Sequence, residues 1–544
     1  MPTERLAVLP EGGWDEIARD FRWDIPADFT IHHACNTRWA EADPERVAVV
    51  DVPEGGPRAV WTHGRLKETS DRLAAALAAL GVSKGDRVAV LLPQRAEVMV
   101  AHLAAMKLGA IVLPLFTLFG EEALAFRLSD SGAKVVITDA EQAGKVVSVA
   151  GEALEAVVVI GKWRAGTRSA RPDIIACDEA LRHPPIAAPE PLSAEDPAVM
   201  IYTSGTTGSP KGTLHAHRFL IGHLPCVELS LGGLPRDGDV GWSPADWAWI
   251  GALMDLAMPC LYFGIPLVAQ RMRKFDAAAA WRLMVGEGVS VAFLPPTALK
   301  LMRQVPVPEG HRLRAVNTGG ESLAPDLLDW GDREVGAAFN ELYGQTECNL
   351  VVCSAAHKGV RRAGAIGRAV PGHEVAVLSP EGAEMPPGEV GEICVRRPDP
   401  VMFLGYWNQP EKTAEKFMGD WLKTGDLGRM DAEGYVTFVA RDDDVITSAG
   451  YRIGPTEIEN CLTGDADVVM AAAVGVPDPE RTEVVKAFVV LREGATREGV
   501  EARLIQRVRE RVSPHVAPRM VEVVDSLPMT ATGKIMRRAL RDRE

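Results

Sequence analysis

Apolar residues recur at helical spacing across residues 66–80, and Gly81 stands just past the last of them as a C-cap. A Gly85-Asp86 turn leads into a continuous apolar run at 87–92, which predicts a buried strand. The alternation continues with a helix over 95–108 ended by Gly109, and with strands at 111–115, 134–138 and 156–160. Strands that alternate with helices predict a parallel sheet with helices on its faces. The Pro- and Gly-rich text from 161 to 197 reads as a loop-rich connector. Beyond it the pattern predicts helices over 219–229, after Trp249 and over 276–287, and strands at 240–243, 265–269, 289–294 and 314–318. From about 364 the texture changes to short strands between Gly/Pro turns, which predicts an antiparallel subdomain. Past Ala440 a further α+β unit is expected, with helices over 455–462 and 500–512 and strands at 468–476 and 484–491. Residues 1 to about 60 give weak signals, with Trp14, Phe21 and Trp23 expected to anchor that segment onto the body.

One stretch stands out against this alternation. A short apolar strand, Ala198-Val199-Met200-Ile201, runs into Tyr202-Thr203-Ser204-Gly205-Thr206-Thr207-Gly208-Ser209-Pro210-Lys211-Gly212. Glycines let the backbone turn with positive φ and bring its N–H groups close to a ligand. Hydroxyls add rotatable donors and the lysine adds a point charge, a combination that suits a polyphosphate. The common P-loop is excluded, because no Gly-Lys-Ser/Thr follows at that motif's spacing.

Composition bounds what such a site can serve. At 544 residues the chain exceeds one hydrophobic core and should form at least two domains. Its 47% apolar and 24% charged residues are ordinary for a globular protein, and a net charge of −15 argues against nucleic acid as a partner. No basic-then-apolar leader and no run of about 18 apolar residues occurs, so neither export nor a membrane span is expected. The eight cysteines form no CxxC, the nearest two being Cys348 and Cys353, and the chain reads as reduced and cytoplasmic.

Four further motifs follow the hydroxyl-rich loop in order: Tyr343-Gly344-Gln345-Thr346-Glu347; Thr424-Gly425-Asp426; Arg441-Asp442-Asp443-Asp444 with Gly450-Tyr451-Arg452-Ile453; and Thr532-Gly533-Lys534. With them in register, nearly the whole chain resembles the adenylate-forming superfamily of acyl-CoA synthetases, carrier-protein adenylation domains and luciferases. The resemblance implies an α/β fold: a large N-terminal domain, 1–441, of parallel α/β sheets with a distorted antiparallel β subdomain, and a small mobile α+β domain, 442–544. It also implies two half-reactions. A carboxylate attacks the α-phosphorus of ATP to give acyl-AMP and pyrophosphate, and a thiol then displaces AMP.

By the same resemblance, Thr203, Ser204, Gly205, Thr206, Thr207, Gly208 and Lys211 hold phosphates, Thr346 contacts the α-phosphate, and Glu347 ligates Mg²⁺, a hard cation suited to carboxylate oxygen. Asp426 and Arg441 take the ribose hydroxyls. Tyr343 stacks on adenine, Gly319, Gly320 and Glu321 line its other side, and Glu341 and Gln345 belong to the same nucleotide site. Lys534 bridges the attacking carboxylate and the α-phosphate, and Asp443 is the hinge about which the C-terminal domain turns between half-reactions.

The C-terminal text, from Ser448 through Asn460 and again from Pro477 through Phe488, looks most like medium-chain acyl-CoA synthetases. That likeness assigns Ser448, Gly450, Tyr451, Arg452 and Arg481 to coenzyme A. Val516 departs from the subfamily, which carries a lysine there, and Arg511 or Arg519 is left to substitute. Trp249 aligns with a tryptophan that walls the acyl site, where Gly319 also falls. Acetyl-specific relatives carry a bulky tryptophan in place of Gly344, so glycine is expected to leave volume open for an acid longer than acetate. The expected partners are a small carboxylic acid, ATP and CoA, with a homodimer left open. An aryl-CoA ligase, a carrier-protein-loading adenylation enzyme and a luciferase-like monooxygenase remain the alternatives.

Overall fold

The computed structural model describes residues 8–163, 172–203, 209–441, 444–448, 451–478, 482–530, 534–541 and 543. Three sheets organise them. In an eight-stranded sheet, Ile111–Pro114, Arg87–Leu91, Val135–Asp139, Ala156–Ile160 and Asp173–Ala176 run parallel to their neighbours, and Ile111–Pro114 continues in parallel to Pro197–Thr203. These strands are nearly all buried, as expected when helices cover both faces. The predicted helices form at His63–Ala79 and Ala96–Lys107, with Gly81 and Gly109 in the left-handed region just beyond.

The second sheet has 14 strands and changes character along its width. Val47–Asp51, Leu267–Ala269, Gly241–Trp242, Val291–Phe293, Ala315–Gly319 and Ala338–Gln345 pair in parallel. From Cys348–Cys353 onward the pairing is antiparallel, through Gly367–Ala369, Tyr435–Arg441, Trp421–Met430, Val390–Arg396 and Val375–Leu378. The expected antiparallel part is present within the large domain. It continues the parallel sheet, because the hairpin that joins Ala338–Gln345 to Cys348–Cys353 reverses the chain without leaving the ladder.

The C-terminal residues build a smaller unit. Five strands, Tyr451–Ile453, Ile446–Ser448, Thr482–Leu491, Val468–Asp478 and Met520–Val523, carry helices Pro455–Thr463 and Val500–Arg511. This unit has apolar clusters of its own, centred on Ile458, Leu462, Ala487, Val489, Leu504 and Val508, and on Val474, Phe488 and Leu540. Val516 packs half-buried against the first of them, so at that position an apolar side chain serves the core.

At the N-terminal side, Trp14 and Phe21 are buried as expected, and the Trp23 indole N–H donates to the Gly372 carbonyl at 2.8 Å. The connector expected at 161–197 is less irregular than its Pro and Gly content suggested. It holds the edge strand Asp173–Ala176 and the one-turn helix Cys177–Ala180.

Candidate active site

The two large sheets meet the site with the C-terminal ends of their parallel strands, where ligands of open α/β sheets bind. Pro197–Thr203 delivers Thr203 to the start of the hydroxyl-rich loop. Lys211, at its far end, opens strand Lys211–Ala216, which pairs antiparallel with Pro197–Thr203 so that Thr203 faces Lys211. The two strands that flank the loop are thus hydrogen-bonded to each other. Ser204, Gly205, Thr206, Thr207 and Gly208 lie outside the described residues.

Ala338–Gln345 carries Glu341, Tyr343, Gly344 and Gln345, and the turn after it carries Thr346 and Glu347. The Tyr343 hydroxyl donates to Asp426 Oδ2 at 2.8 Å. Gln345 Nε2 donates to the Thr424 carbonyl at 2.9 Å, and the Asp426 amide donates to Thr424 Oγ1 at 3.1 Å. Strands Trp421–Met430 and Tyr435–Arg441 put Asp426 directly opposite Arg441, whose Nε stands 3.8 Å from Asp426 Oδ1. Burial raises the Asp426 carboxyl above its usual range, against the pull of Arg441 and the Tyr343 hydroxyl. Burial likewise holds the Tyr343 phenol well above its ordinary value, so it stays a donor.

Glu341 serves the frame. Its Oε1 accepts from the Leu323 amide at 3.2 Å, and burial pushes its carboxyl up to about 7. Glu347 is buried, and its Oε1 accepts from the Tyr406 hydroxyl. Sequence reasoning missed Tyr406, and it also missed Lys416, whose Nζ donates to Gln345 Oε1 at 3.4 Å.

Gly320 is where the parts converge. Its φ is +90°, a conformation that side chains resist. A Cβ built there would lie 3.1 Å from Trp249 Cζ2 and 3.3 Å from Lys534 Cε. The C-terminal tail therefore brings Lys534 over Gly320 and against the tryptophan, with Glu321, Glu347 and Asp426 as its acidic neighbours. Lys534 keeps an exposed surface, yet its pKa is lowered, first by desolvation and then by the Arg441 charge.

The tail is tied down on both flanks of Lys534. The Lys534 amide donates to Thr530 Oγ1 at 3.0 Å, and Arg537 grips Glu459 through two bonds of 2.7 and 3.0 Å. Glu321 is also raised by burial, and among the described residues its Oε1 has no hydrogen-bond partner.

Trp249, expected to wall the acyl site, is half-buried and packs on Phe293 with ring centroids 5.3 Å apart. Gly319 is held in the ladder opposite Leu342, and a Cβ on it would meet the Leu342 carbonyl at 3.0 Å. Gly344 corrects the expectation placed on it. A Cβ there would fall 2.3 Å from the Leu350 amide nitrogen and 2.8 Å from Asn349 Cα. The direction in which a side chain would leave is filled by the returning strand, so this glycine is needed for close backbone approach within the hairpin and does not open a pocket.

Of the residues expected to serve the thiol, Ser448 pairs with Tyr451, Thr447 faces Arg452, and Ser448 also faces Thr482. These calls share one end of the C-terminal sheet. Gly450, Arg481 and Asp443 lie outside the described residues, as do the side chains of Tyr451 and Arg452.

The family model of the AMP-binding enzyme matches residues 36–407, and that of the AMP-binding enzyme C-terminal domain matches 457–534. The chain belongs to the AMP-binding enzyme family. It is 33% identical over 559 residues to the mitochondrial acyl-coenzyme A synthetase ACSM5 of Homo sapiens, a match that covers 98% of this chain and 93% of that one. It is also 33% identical over 494 residues to acetyl-coenzyme A synthetase of Bacillus subtilis (strain 168), covering 88% and 84%. Among solved structures, the anthranilate CoA ligase AuaEII in complex with anthranoyl-AMP superposes with a TM-score of 0.87 at 26% identity, covering 97% of this chain and 98% of that one. This AMP-binding enzyme is accordingly an AMP-forming ligase of the acyl-CoA and aryl-CoA ligase group. Among its described residues, no helix is long and apolar enough to cross a membrane.

Proposed function

We propose that this enzyme joins a medium-chain carboxylic acid to coenzyme A at the expense of ATP, through acyl-AMP. The observation that carries the reading is that Lys534 stands beside Gly320 together with Trp249, with Asp426, Glu321 and Glu347 as its acidic neighbours. The first half-reaction brings an anion up to another anion, and the ammonium of Lys534 would lie between carboxylate and α-phosphate to cancel charge where it concentrates. Asp426, already fixed by Tyr343 and Thr424, would accept from the ribose hydroxyls, and Arg441 would add a bond beside it. Tyr343, with Gly319–Glu321 opposite, would bracket adenine; Thr346 would meet the α-phosphate; and Thr203 and Lys211, at the two ends of the loop, would hold β- and γ-phosphates.

Among the described residues, no group of three or more His, Cys, Asp or Glu is placed to hold a metal. The single buried carboxylate of Glu347 fits an ion that arrives with ATP, since Mg²⁺ is usually bound by one or two carboxylates plus phosphate and water oxygens. Such an ion would supply charge neutralisation on the phosphates.

For the second half-reaction we place the domain boundary after Arg441, where the large sheet ends, and the hinge at Asp443. Rotation there would withdraw Lys534 and bring up the Ser448–Arg452 turn for the thiol. The medium-chain assignment rests on the likeness of the C-terminal text, not on Gly344. A second reading, an aryl acid, is favoured by the Trp249–Phe293 pair, which offers an aromatic wall.

The test is pyrophosphate release with ATP and Mg²⁺ over acetate through dodecanoate, benzoate and phenylacetate, each with and without CoA. A peak at intermediate chain length with acyl-CoA as product is the expected result. A peak on an aromatic acid hands the substrate to the second reading. Adenylate never passed to CoA contradicts the acceptor.

A further inference from the structure

Segment 402–407 links the two pieces of the site that sequence motifs left separate. On one side it clings to the Glu347 turn: the Phe403 amide donates to the Glu347 carbonyl at 3.0 Å, and Met402 bridges Cys348. On the other it extends the eight-stranded sheet next to the phosphate hairpin. Gly405 faces Leu214, Tyr406 faces Thr213, and the Trp407 amide donates to the Gly212 carbonyl at 2.7 Å.

Tyr406 stands at the centre of this strut. It is buried, its hydroxyl donates to Glu347 Oε1, and its ring lies 4.8 Å under Lys211 Nζ. Its own amide is pinned to Thr413 Oγ1 at 2.9 Å, and Phe403 packs edge-on at 5.1 Å, so the ring has little freedom.

We propose that Tyr406 is a positioning residue that fixes the Glu347 carboxylate and the Lys211 ammonium relative to each other, so that the metal and the terminal phosphates of ATP meet a preset pair of opposite charges. The proposal rests on the reading of Glu347 as the metal ligand and Lys211 as a phosphate contact. A phenol is suited to the task. Its hydroxyl donates one hydrogen bond to Glu347 without adding charge to the site. The bond takes one carboxylate oxygen and orients the group, and the π-face holds the lysine by a cation–π contact. Partners of this kind around a metal ligand typically change affinity by about 10–100-fold when removed.

The experiment measures Mn²⁺ bound to the ATP-loaded enzyme by electron paramagnetic resonance, and ATP affinity by calorimetry at graded Mg²⁺. Tyr406→Phe, which keeps the ring under Lys211 and loses only the hydroxyl, should weaken metal binding about ten-fold while its melting temperature stays near that of the parent. Tyr406→Leu should weaken ATP affinity further at saturating Mg²⁺. Glu347→Gln is the reference: it should abolish the tight Mn²⁺ signal. If Glu347→Gln weakens the metal and Tyr406→Phe does not, the positioning role is wrong. If neither changes it, the reading of Glu347 as metal ligand falls, and the proposal falls with it. An equal loss in Tyr406→Phe at every Mg²⁺ concentration, accompanied by a lowered melting temperature, would mark Tyr406 as structural only and would also overturn it.

Discussion

The two walls of the cleft are built on opposite plans. The wall proposed to face the nucleotide is a mesh of buried bonds, in which Tyr343, Thr424 and Asp426, and separately Tyr406 and Glu347, hold one another in place. Lys534 faces that wall from an exposed tail fastened to the smaller unit through Arg537 and Glu459. Preorganised donors and acceptors need no reorganisation when charge develops, whereas a cation on a separate unit can come and go. The fixed wall should therefore serve both half-reactions and the tail only one.

The largest effect is expected where that division is sharpest. Lys534→Ala should slow acyl-AMP formation by ~10²–10³-fold, the typical cost of losing one such stabilising group, while transfer of supplied acyl-AMP to CoA continues. Assaying the halves separately decides it, and equal loss in both would erase the distinction between wall and tail. Asp426→Asn, on the wall, should instead weaken ATP and acyl-AMP alike, by roughly ten-fold each, as expected for a charged hydrogen-bond acceptor. Loss confined to one half would break the comparison from the other side.

That Asp426, Tyr343 and Glu347 belong to one site was legible in the sequence and the packing around Gly344 was not, for a physical reason. The roles proposed for Asp426, Tyr343 and Glu347 need functional groups that few other residue types can supply, so their motifs survive as text. Gly344 acts through the absence of a Cβ, and the same letter can mean open space or a backbone pressed against it. Only the 2.3 Å approach to the Leu350 amide separates the two. Tyr406 was overlooked because its partners, Glu347 and Lys211, lie far from it in the chain and meet it through strand pairing alone. The six elements predicted between residues 66 and 160 lie within a few residues of those observed, since buried parallel strands are continuous apolar runs, whereas strands Val47–Asp51 and Ala59–Thr62 and helices Glu121–Ser131 and Ala143–Ser148 were not read. Asp173–Ala176 was missed because it is a partly exposed edge strand of only four residues.

Gly344→Ala turns this into a stability prediction. Forcing a methyl against backbone should cost about 1–3 kcal/mol and lower the melting temperature by several degrees, with all acids affected alike. A shift in chain-length preference at unchanged stability would restore the pocket reading.

A further stability effect concerns Glu341. Its carboxyl is held near 7 against an ordinary 4.5, so between those pH values the folded chain keeps a proton that the unfolded chain has released. Stability should fall as pH rises through that window, with a slope of up to about 1.4 kcal/mol per pH unit from this group. Glu341→Gln should flatten that slope in denaturant titrations at pH 5 and 7, and an unchanged slope would show that Glu341 is not its source.

The most direct test of the central claim follows one oxygen atom. With a carboxylic acid labelled with ¹⁸O in its carboxyl group, attack on the α-phosphorus leaves one labelled oxygen in AMP after CoA displaces it, and mass spectrometry of the AMP should show that label while pyrophosphate stays unlabelled. Label in inorganic phosphate, with ADP as the nucleotide product, would mean attack at the γ-phosphorus and would contradict the account.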